Sequence, residues 1–89
     1  MENTTNKRVD TPKSAEGVAS EFLAVQKTGS YVGKEPWWHI AVALMEIGWS
    51  VKALQNEGGH FGYTDPLQET DPDHINVHPK EKRVVAIYI

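Results

Sequence analysis

The sequence predicts an α+β domain, in which two N-terminal helices pack on one face of a small, mainly antiparallel four-stranded sheet. Apolar residues recur at helical spacing through the first half of the chain, up to Ile47. From Trp49 onward they alternate with polar residues, which is the spacing of a strand. A chain of 89 residues has room for one core, so we predict a single domain over residues 11–89.

The N-terminal part of the chain divides into a tail and a first helix. Residues 1–10 are polar and without periodicity, and we expect them to form a disordered tail. Thr11 and Pro12 have the residue types of an N-cap and a first helical position. Residues at helical spacing follow: Ala15, Val18, Ala19, Phe22 and Val25. We predict that this helix ends near Thr28, because Gly29 is a natural helix stop.

The most apolar stretch of the chain begins at Pro36 and predicts the central helix. Proline suits the first helical turn, where its missing N–H costs nothing. The only polar side chains before the next glycine are His39 and Glu46, so most of this helix should be buried. Gly48 can take the left-handed conformation that ends a helix, which places the predicted end at about Ile47.

Four strands follow from the alternating pattern, and turn residues separate them. Gln55–Gly59 has turn chemistry, so the strands on either side of it should form a hairpin. Pro66 and Pro72 prevent regular pairing, and we predict a loop over residues 64–73. The last strand is apolar on both faces, as in a central strand. The predicted strands are residues 49–54, 60–63, 74–78 and 83–89.

Composition removes several classes of function. The chain has no cysteine, so it can form neither a disulfide framework nor a thiolate metal site. A net charge of −3 argues against a nucleic-acid partner, because such binding depends on clustered Lys and Arg. No apolar run approaches the roughly 20 residues of a membrane span, and the N-terminus lacks a signal-peptide core. We therefore expect a cytoplasmic protein with no membrane partner and no cofactor.

A histidine- and acid-rich segment lies between residues 53 and 79. It contains His60, His74 and His78 with five acidic residues and no Lys or Arg, which is a composition that could bind Zn²⁺. On the predicted strand, however, His74 and His78 lie roughly 13 Å apart at 3.3 Å per residue, too far for one ion. We therefore predict a solvated acidic loop and no metal site.

Evidence for catalysis is weak in the sequence. His39 and Glu46 are seven residues apart, so on a helix they share a stripe but lie two turns apart. General acid–base catalysis would require them, or a partner on the sheet, to reach one substrate. No serine or threonine lies in a glycine-flanked nucleophile elbow, and no phosphate-binding glycine loop precedes a helix. We predict no catalytic residues.

The aromatic residues suggest a binding function instead. Trp37 and Trp38 point about 100° apart on a helix, so at most one of them can face the centre of the sheet. The other aromatic side chains either fill the core or form an exposed patch, and Trp and Tyr dominate binding hot spots. The predicted partner-binding residues are Trp37, Trp38, His39, Trp49, His60, Phe61 and Tyr63.

From this patch we predict a small non-catalytic interaction module that associates with itself as a homodimer. The alternative is a small ligand-binding protein or enzyme with a pocket between the central helix and the hairpin of residues 49–63. That pocket would use His39, His60 and nearby carboxylates. A binding partner other than a second copy would be another protein or a small ligand.

The last strand also predicts an oligomer interface. Val85, Ile87 and Ile89 point to one side of the sheet, and a second set points to the other. The two helices have enough apolar surface for one face only, and monomers seldom leave a large apolar patch in water. We expect the uncovered face to form the interface, with the tail or the loop of residues 64–73 as the competing cover. Its predicted residues are Val84, Ala86 and Tyr88.

Overall fold

The computed structural model describes residues 14–31, 33 and 35–89. The predicted tail over residues 1–10 and the predicted cap at Thr11 and Pro12 lie outside these residues. Within the described part the chain forms two helices and five strands. In chain order they are α1 (Ala15–Val25), β1 (Thr28–Gly29), α2 (Trp37–Glu46), β2 (Ser50–Glu57), β3 (His60–Thr64), β4 (His74–His78) and β5 (Arg83–Tyr88).

The five strands form one sheet in the order β1-β4-β5-β2-β3. The β2–β5 pair is parallel, with Val51 opposite Val84, and the other three pairs are antiparallel. Parallel neighbours need a crossover, which the chain makes through β3, residues 65–73 and β4. The predicted α+β class and mainly antiparallel sheet are confirmed, but the prediction of four strands missed β1.

Helix α1 is shorter than predicted. Ser14 is its N-cap, and the Ser14 hydroxyl accepts a hydrogen bond from the Gly17 N–H at 3.1 Å. After Val25 the backbone becomes extended, and Thr28 pairs with Asn76 of β4. The prediction that the helix continues to about Thr28 was therefore wrong, because the pairing with β4 replaces its last turn.

Helix α2 ends where the sequence predicts. Gly48 has a φ of 92°, and its N–H donates to the Met45 carbonyl at 3.0 Å. The Trp49 N–H donates to the Leu44 carbonyl at 2.9 Å, which completes a Schellman motif. At the other end Pro36 is the N-cap residue and not the first helical residue. Neither helix of the described residues is long and apolar enough to cross a membrane.

The β2–β3 hairpin turns over two glycines. Gly58 and Gly59 both have positive φ, 65° and 92°, as a type I′ turn requires. The Asn56 side-chain oxygen accepts the Gly59 N–H at 3.0 Å and holds the turn. The hairpin was predicted correctly, but β2 continues to Glu57, beyond its predicted end at residue 54.

The helices cover the opposite sheet face from the one we expected. Val84, Ala86 and Tyr88 are 0%, 0% and 5% exposed, so they lie in the core and the predicted interface is wrong. Register explains the reversal, because the strand positions beside these residues are mostly apolar on the two adjacent strands. They are Val51 and Ala53 on β2 and Ile75 and Val77 on β4.

The other face of β5 has mostly polar neighbours, and neither described helix covers it. Val85 lies between Lys52 and Asn76, and Ile87 lies between Leu54 and His74. Polar residues at these positions favour water over a helix, so the helices pack on the alternate face.

Candidate functional site

The predicted aromatic patch is not formed as one surface, because its residues lie in separate places. Trp37 is in the core, and Trp49 is half-buried beside the end of α1. His60 points to the helix side of the sheet, opposite to its neighbour on β3. Two pairs remain together on the surface: Trp38 with His39, and Phe61 with Tyr63.

Trp37 has a structural role. It is fully buried, and its ring packs edge-on against Phe22 and Tyr31 at centroid distances of 6.1 and 6.0 Å. Its indole Nε1–H donates to the Pro66 carbonyl at 2.8 Å. Its backbone N–H donates to the Asp71 carboxylate at 2.9 Å. Through these two hydrogen bonds Trp37 connects the loop of residues 65–73 to the start of α2. Because the Trp37 side chain is fully buried, it cannot contact a binding partner.

The loop of residues 65–73 is a packed part of the domain. The Tyr88 hydroxyl donates to the Thr70 carbonyl at 2.8 Å, and the Asp73 carboxylate accepts the Ile89 N–H at 2.9 Å. Pro72 is buried. Asp71 and Asp73 are exposed, as predicted for a solvated acidic loop, but their carboxylates also accept hydrogen bonds from backbone N–H groups. Asp71 caps α2 from a position 34 residues away, because Pro36 provides no side-chain cap.

Two tyrosines have perturbed pKa values that follow from this packing. Burial, together with the nearby negative charges of Asp71 and Glu35, raises the pKa of Tyr31 to about 12. Burial, together with the negative charges of the loop aspartates, likewise raises the pKa of Tyr88 to about 12. Both phenols are therefore protonated at neutral pH and act as donors, Tyr31 to the Glu35 carbonyl at 2.6 Å. These are structural hydrogen bonds.

A groove between the two helices contains Trp38 and His39. It has a volume of about 510 Å³. The His39 Nδ1 lies 3.2 Å from the Glu35 carboxylate, and both side chains are partly exposed, at 43% and 34%. Glu46 also lines the groove, but none of its described lining residues is a Ser, Thr, Cys or Lys. Its described lining offers two carboxylates and an imidazole, which can bind a cation, and no hydroxyl, thiol or amine nucleophile.

Three cavities are lined by described residues, and none of them lies between the central helix and the hairpin, where the alternative pocket was predicted. Besides the groove, there is a cavity of about 250 Å³ against Phe22 and Tyr31 and one of about 350 Å³ against Trp49. No described residue of 50–64 lines any of the three. None of these three cavities is lined by both His39 and His60, and the alternative pocket stays a prediction.

The described residues also contain no group of three or more histidine or acidic side chains that could hold a metal ion. His74 and His78 lie on β4, four residues apart on a strand as predicted. The absence of a metal site stays a prediction for the chain as a whole.

The side of the sheet that neither described helix covers carries a continuous apolar row. Tyr63, Leu54 and Ile87 lie side by side on β3, β2 and β5. Phe61 lies one step along β3 on the same side. We call this side the open face, and its apolar residues are Leu54, Phe61, Tyr63, Val85 and Ile87. Phe61 is 50% exposed and Tyr63 is 80% exposed, so these aromatic side chains project into water.

Polar residues surround the apolar row. On the described strands, the positions on the open face carry two fixed positive charges and no acidic residue. Lys52 and Arg83 provide these charges, on the part of the face away from Phe61. The aromatic end of the open face is consequently free of fixed charge within β3.

The strand that carries both aromatic residues is also an edge of the sheet. β3 pairs with β2 on one side and has no neighbour on the other among the described strands. Residues 60–63 are all exposed, so nothing described covers this side of the strand. We call the unpaired side of His60–Thr64 the free edge. It adjoins the aromatic end of the open face and forms one candidate site with it.

Similarity to known proteins does not supply a function. The chain matches no protein-family model, and it has no significant match among curated proteins or solved structures. The candidate site therefore depends on geometry alone. The sequence-based prediction of the binding residues includes Phe61 and Tyr63 but not Leu54 and Ile87, which the alternating pattern of their strands could have placed on one face of the sheet.

Proposed function

We propose that this protein is a small interaction module without catalytic activity, which associates with itself through the aromatic end of the open face. The observation that carries the proposal is the exposure of Tyr63 and Phe61, at 80% and 50%, beside Leu54. Aromatic side chains of this size are enriched in binding hot spots, and a protein rarely leaves an apolar cluster in water without a binding function.

A second copy suits this surface for an electrostatic reason. Residues 60–64 contain no fixed charge, so two copies can meet at β3 without like-charge repulsion. Lys52 and Arg83 lie on neighbouring strands, away from the free edge, where they would not oppose their own copies. A two-fold dimer is the commonest form of self-association.

The test is sedimentation equilibrium of the full chain over a range from micromolar to several hundred micromolar. We expect the mean mass to rise above the monomer mass of 10.0 kDa with concentration, and Tyr63→Glu to abolish the rise. Trp38→Glu is the matched control, because Trp38 is a comparably large aromatic residue at 42% exposure on the helix side. A mass of 10.0 kDa at every concentration would overturn the proposal.

The opposite response of the two variants would assign the interface to the helix groove. If Trp38→Glu dissociates the dimer and Tyr63→Glu does not, the open face is not the interaction surface. Association of the protein only with a different protein or with a small ligand would likewise contradict self-association.

The groove between the helices supports a second candidate function, the binding of a small cationic ligand. Glu35 and Glu46 place carboxylates beside the exposed indole of Trp38, and cations bind the faces of tryptophan rings. Titration with choline, followed by tryptophan fluorescence, tests this candidate. A saturable change that Trp38→Phe weakens supports it, and the absence of a saturable change rejects it.

For the location we propose the cytoplasm. The absence of cysteine suits a reducing compartment and a protein that needs no disulfide. Fractionation of cells that express the full chain tests this, and recovery in a membrane or secreted fraction would contradict it.

A further inference from the structure

We propose that the second copy adds its own β3 to the free edge, antiparallel and with Gly62 at the two-fold axis. The two five-stranded sheets would then join into one sheet of ten strands. This inference rests on the self-association proposed above and specifies its geometry.

The direction of the backbone groups on β3 supports the pairing. The two-residue turn makes Glu57 and His60 the hydrogen-bonded pair that closes the hairpin. Hydrogen-bonded and non-hydrogen-bonded pairs alternate along antiparallel strands. Gly62 is therefore bonded to β2, whereas Phe61 and Tyr63 occupy non-hydrogen-bonded positions. The N–H and C=O groups of these two residues consequently point out at the free edge.

These outward groups define a register that a second copy satisfies by symmetry. In an antiparallel pair centred on Gly62, Phe61 lies opposite the partner's Tyr63, and Tyr63 lies opposite the partner's Phe61. Each of these two pairs exchanges two hydrogen bonds, so all the outward groups of both residues are satisfied. The two glycines face each other on the helix side, where no side chain obstructs the approach.

The same register brings aromatic side chains together on the open face. Phe61 and Tyr63 of each copy would form two cross-strand aromatic pairs, which are among the favourable pairs in sheets. His60 would face the partner's Thr64, and Asp65 would lie beyond the paired stretch. No like charges would therefore face each other within the paired residues.

The free edge also lacks the features by which sheet proteins prevent such pairing. Edge strands of monomers are typically very short or carry lysine, proline or a bulge. The opposite edge, β1, has two residues and is protected by its length. β3 has five residues without a charge or a proline, and four of them are exposed. A strand pair of this size buries less than a standard interface of about 800 Å² per partner, so we expect a weak dimer.

Disulfide trapping tests the register. The chain has no cysteine, so Gly62→Cys introduces a single thiol. The Cα atoms of a non-hydrogen-bonded pair lie about 4.5 Å apart, within the roughly 4.4–6.8 Å range of disulfides. A Cβ at Gly62 would meet no atom within 4 Å, so the fold accommodates the change. We expect a covalent dimer under mild oxidation, at a rate that rises with protein concentration.

Two further variants are the controls for that register. Two copies of His60→Cys would hold their thiols roughly 13 Å apart at 3.3 Å per residue, so this variant alone should stay monomeric. The same holds for Thr64→Cys alone. A mixture of the two variants should form a mixed disulfide, because residues 60 and 64 lie opposite each other. This mixture keeps the test decisive even if Gly62→Cys fails to fold.

The outcomes separate this inference from the proposed function. If the wild type dimerises but neither Gly62→Cys nor the mixture crosslinks, the protein self-associates by another geometry and the edge pairing is wrong. If His60→Cys alone crosslinks as fast as Gly62→Cys, the register is wrong. If the wild type stays monomeric and nothing crosslinks, both the inference and the proposed function fail.

Discussion

Replacement of Asp71 by alanine should destabilise the domain, although Asp71 is an exposed residue in a loop. Helix α2 begins at a proline without a side-chain cap, and the Asp71 carboxylate accepts the first helical N–H, that of Trp37, at 2.9 Å. Loss of an N-cap costs about 1 kcal/mol, and a negative charge at a helix N-terminus adds roughly 0.3–1 kcal/mol. We therefore expect Asp71→Ala to lower the free energy of unfolding by about 1–2 kcal/mol.

Urea denaturation followed by tryptophan fluorescence measures this change as a lower midpoint at constant slope. Asp71→Asn should lose less, because the amide oxygen still accepts the hydrogen bond and only the charge is removed. Glu69→Ala is the control, since it removes an exposed carboxylate from the same loop. If Asp71→Ala is no more destabilising than Glu69→Ala, the cap does not contribute and our interpretation of the loop is wrong.

Three further predictions test the core and its hydrogen bonds. Trp37→Phe should lower the free energy of unfolding by about 2–3 kcal/mol, because it leaves a void and removes the hydrogen bond to the Pro66 carbonyl. Trp38→Phe should lower it by less than about 0.5 kcal/mol, because Trp38 is exposed. Equal losses for the two variants in urea denaturation would contradict this prediction. Val84→Ala should lower the free energy of unfolding by about 2 kcal/mol, and Val85→Ala should lower it by less than about 1 kcal/mol. The reverse order would mean that the helices cover the other face of the sheet. The pKa values of Tyr31 and Tyr88 are raised from 10.0 to about 12. The contribution of these two tyrosines to stability is therefore fully present below pH 10 and is lost as the pH rises towards 12. The absorbance of tyrosinate in a Tyr63→Phe variant checks the two pKa values directly, and titration of both phenols near pH 10 in the folded protein would refute them.

The elements that are determined by residues close together along the chain were predictable from the sequence. Short-range features predicted several elements that the structure confirms. These features are the helical spacing around Phe22, the glycine at the end of α2 and the glycines in the hairpin. Strand β1 was missed because two residues, Thr28 and Gly29, carry no periodicity. They form a strand only because β4 lies beside them.

The orientation of the sheet required information that no single strand contains. Val84 and Val85 are identical residues on opposite faces, so β5 alone cannot show which face is buried. The decision lies in register, since Val85 has Lys52 as its neighbour on β2 and Val84 has Val51. A parallel pair between β2 and β5 is not evident from the order of the chain, and the predicted interface was wrong for that reason.

The candidate site was predictable in part. Phe61 and Tyr63 were predicted as partner-binding residues in a hairpin, and their exposure on β3 is compatible with that role, which stays a prediction. Trp37 was included by its residue type, and its burial follows from a contact with Pro66, 29 residues away. Long-range hydrogen bonds of this kind have no signature in local spacing.

The most direct test of edge pairing is the hydrogen exchange of the Phe61 and Tyr63 amides, followed by NMR as a function of protein concentration. In the monomer both N–H groups point out at the free edge, and both should exchange rapidly. We predict that their exchange slows as concentration rises, while the Gly62 amide, which pairs with Gln55 inside the sheet, changes much less. Exchange of Phe61 and Tyr63 at one constant rate, from micromolar to near-millimolar concentration, would contradict self-association through the free edge.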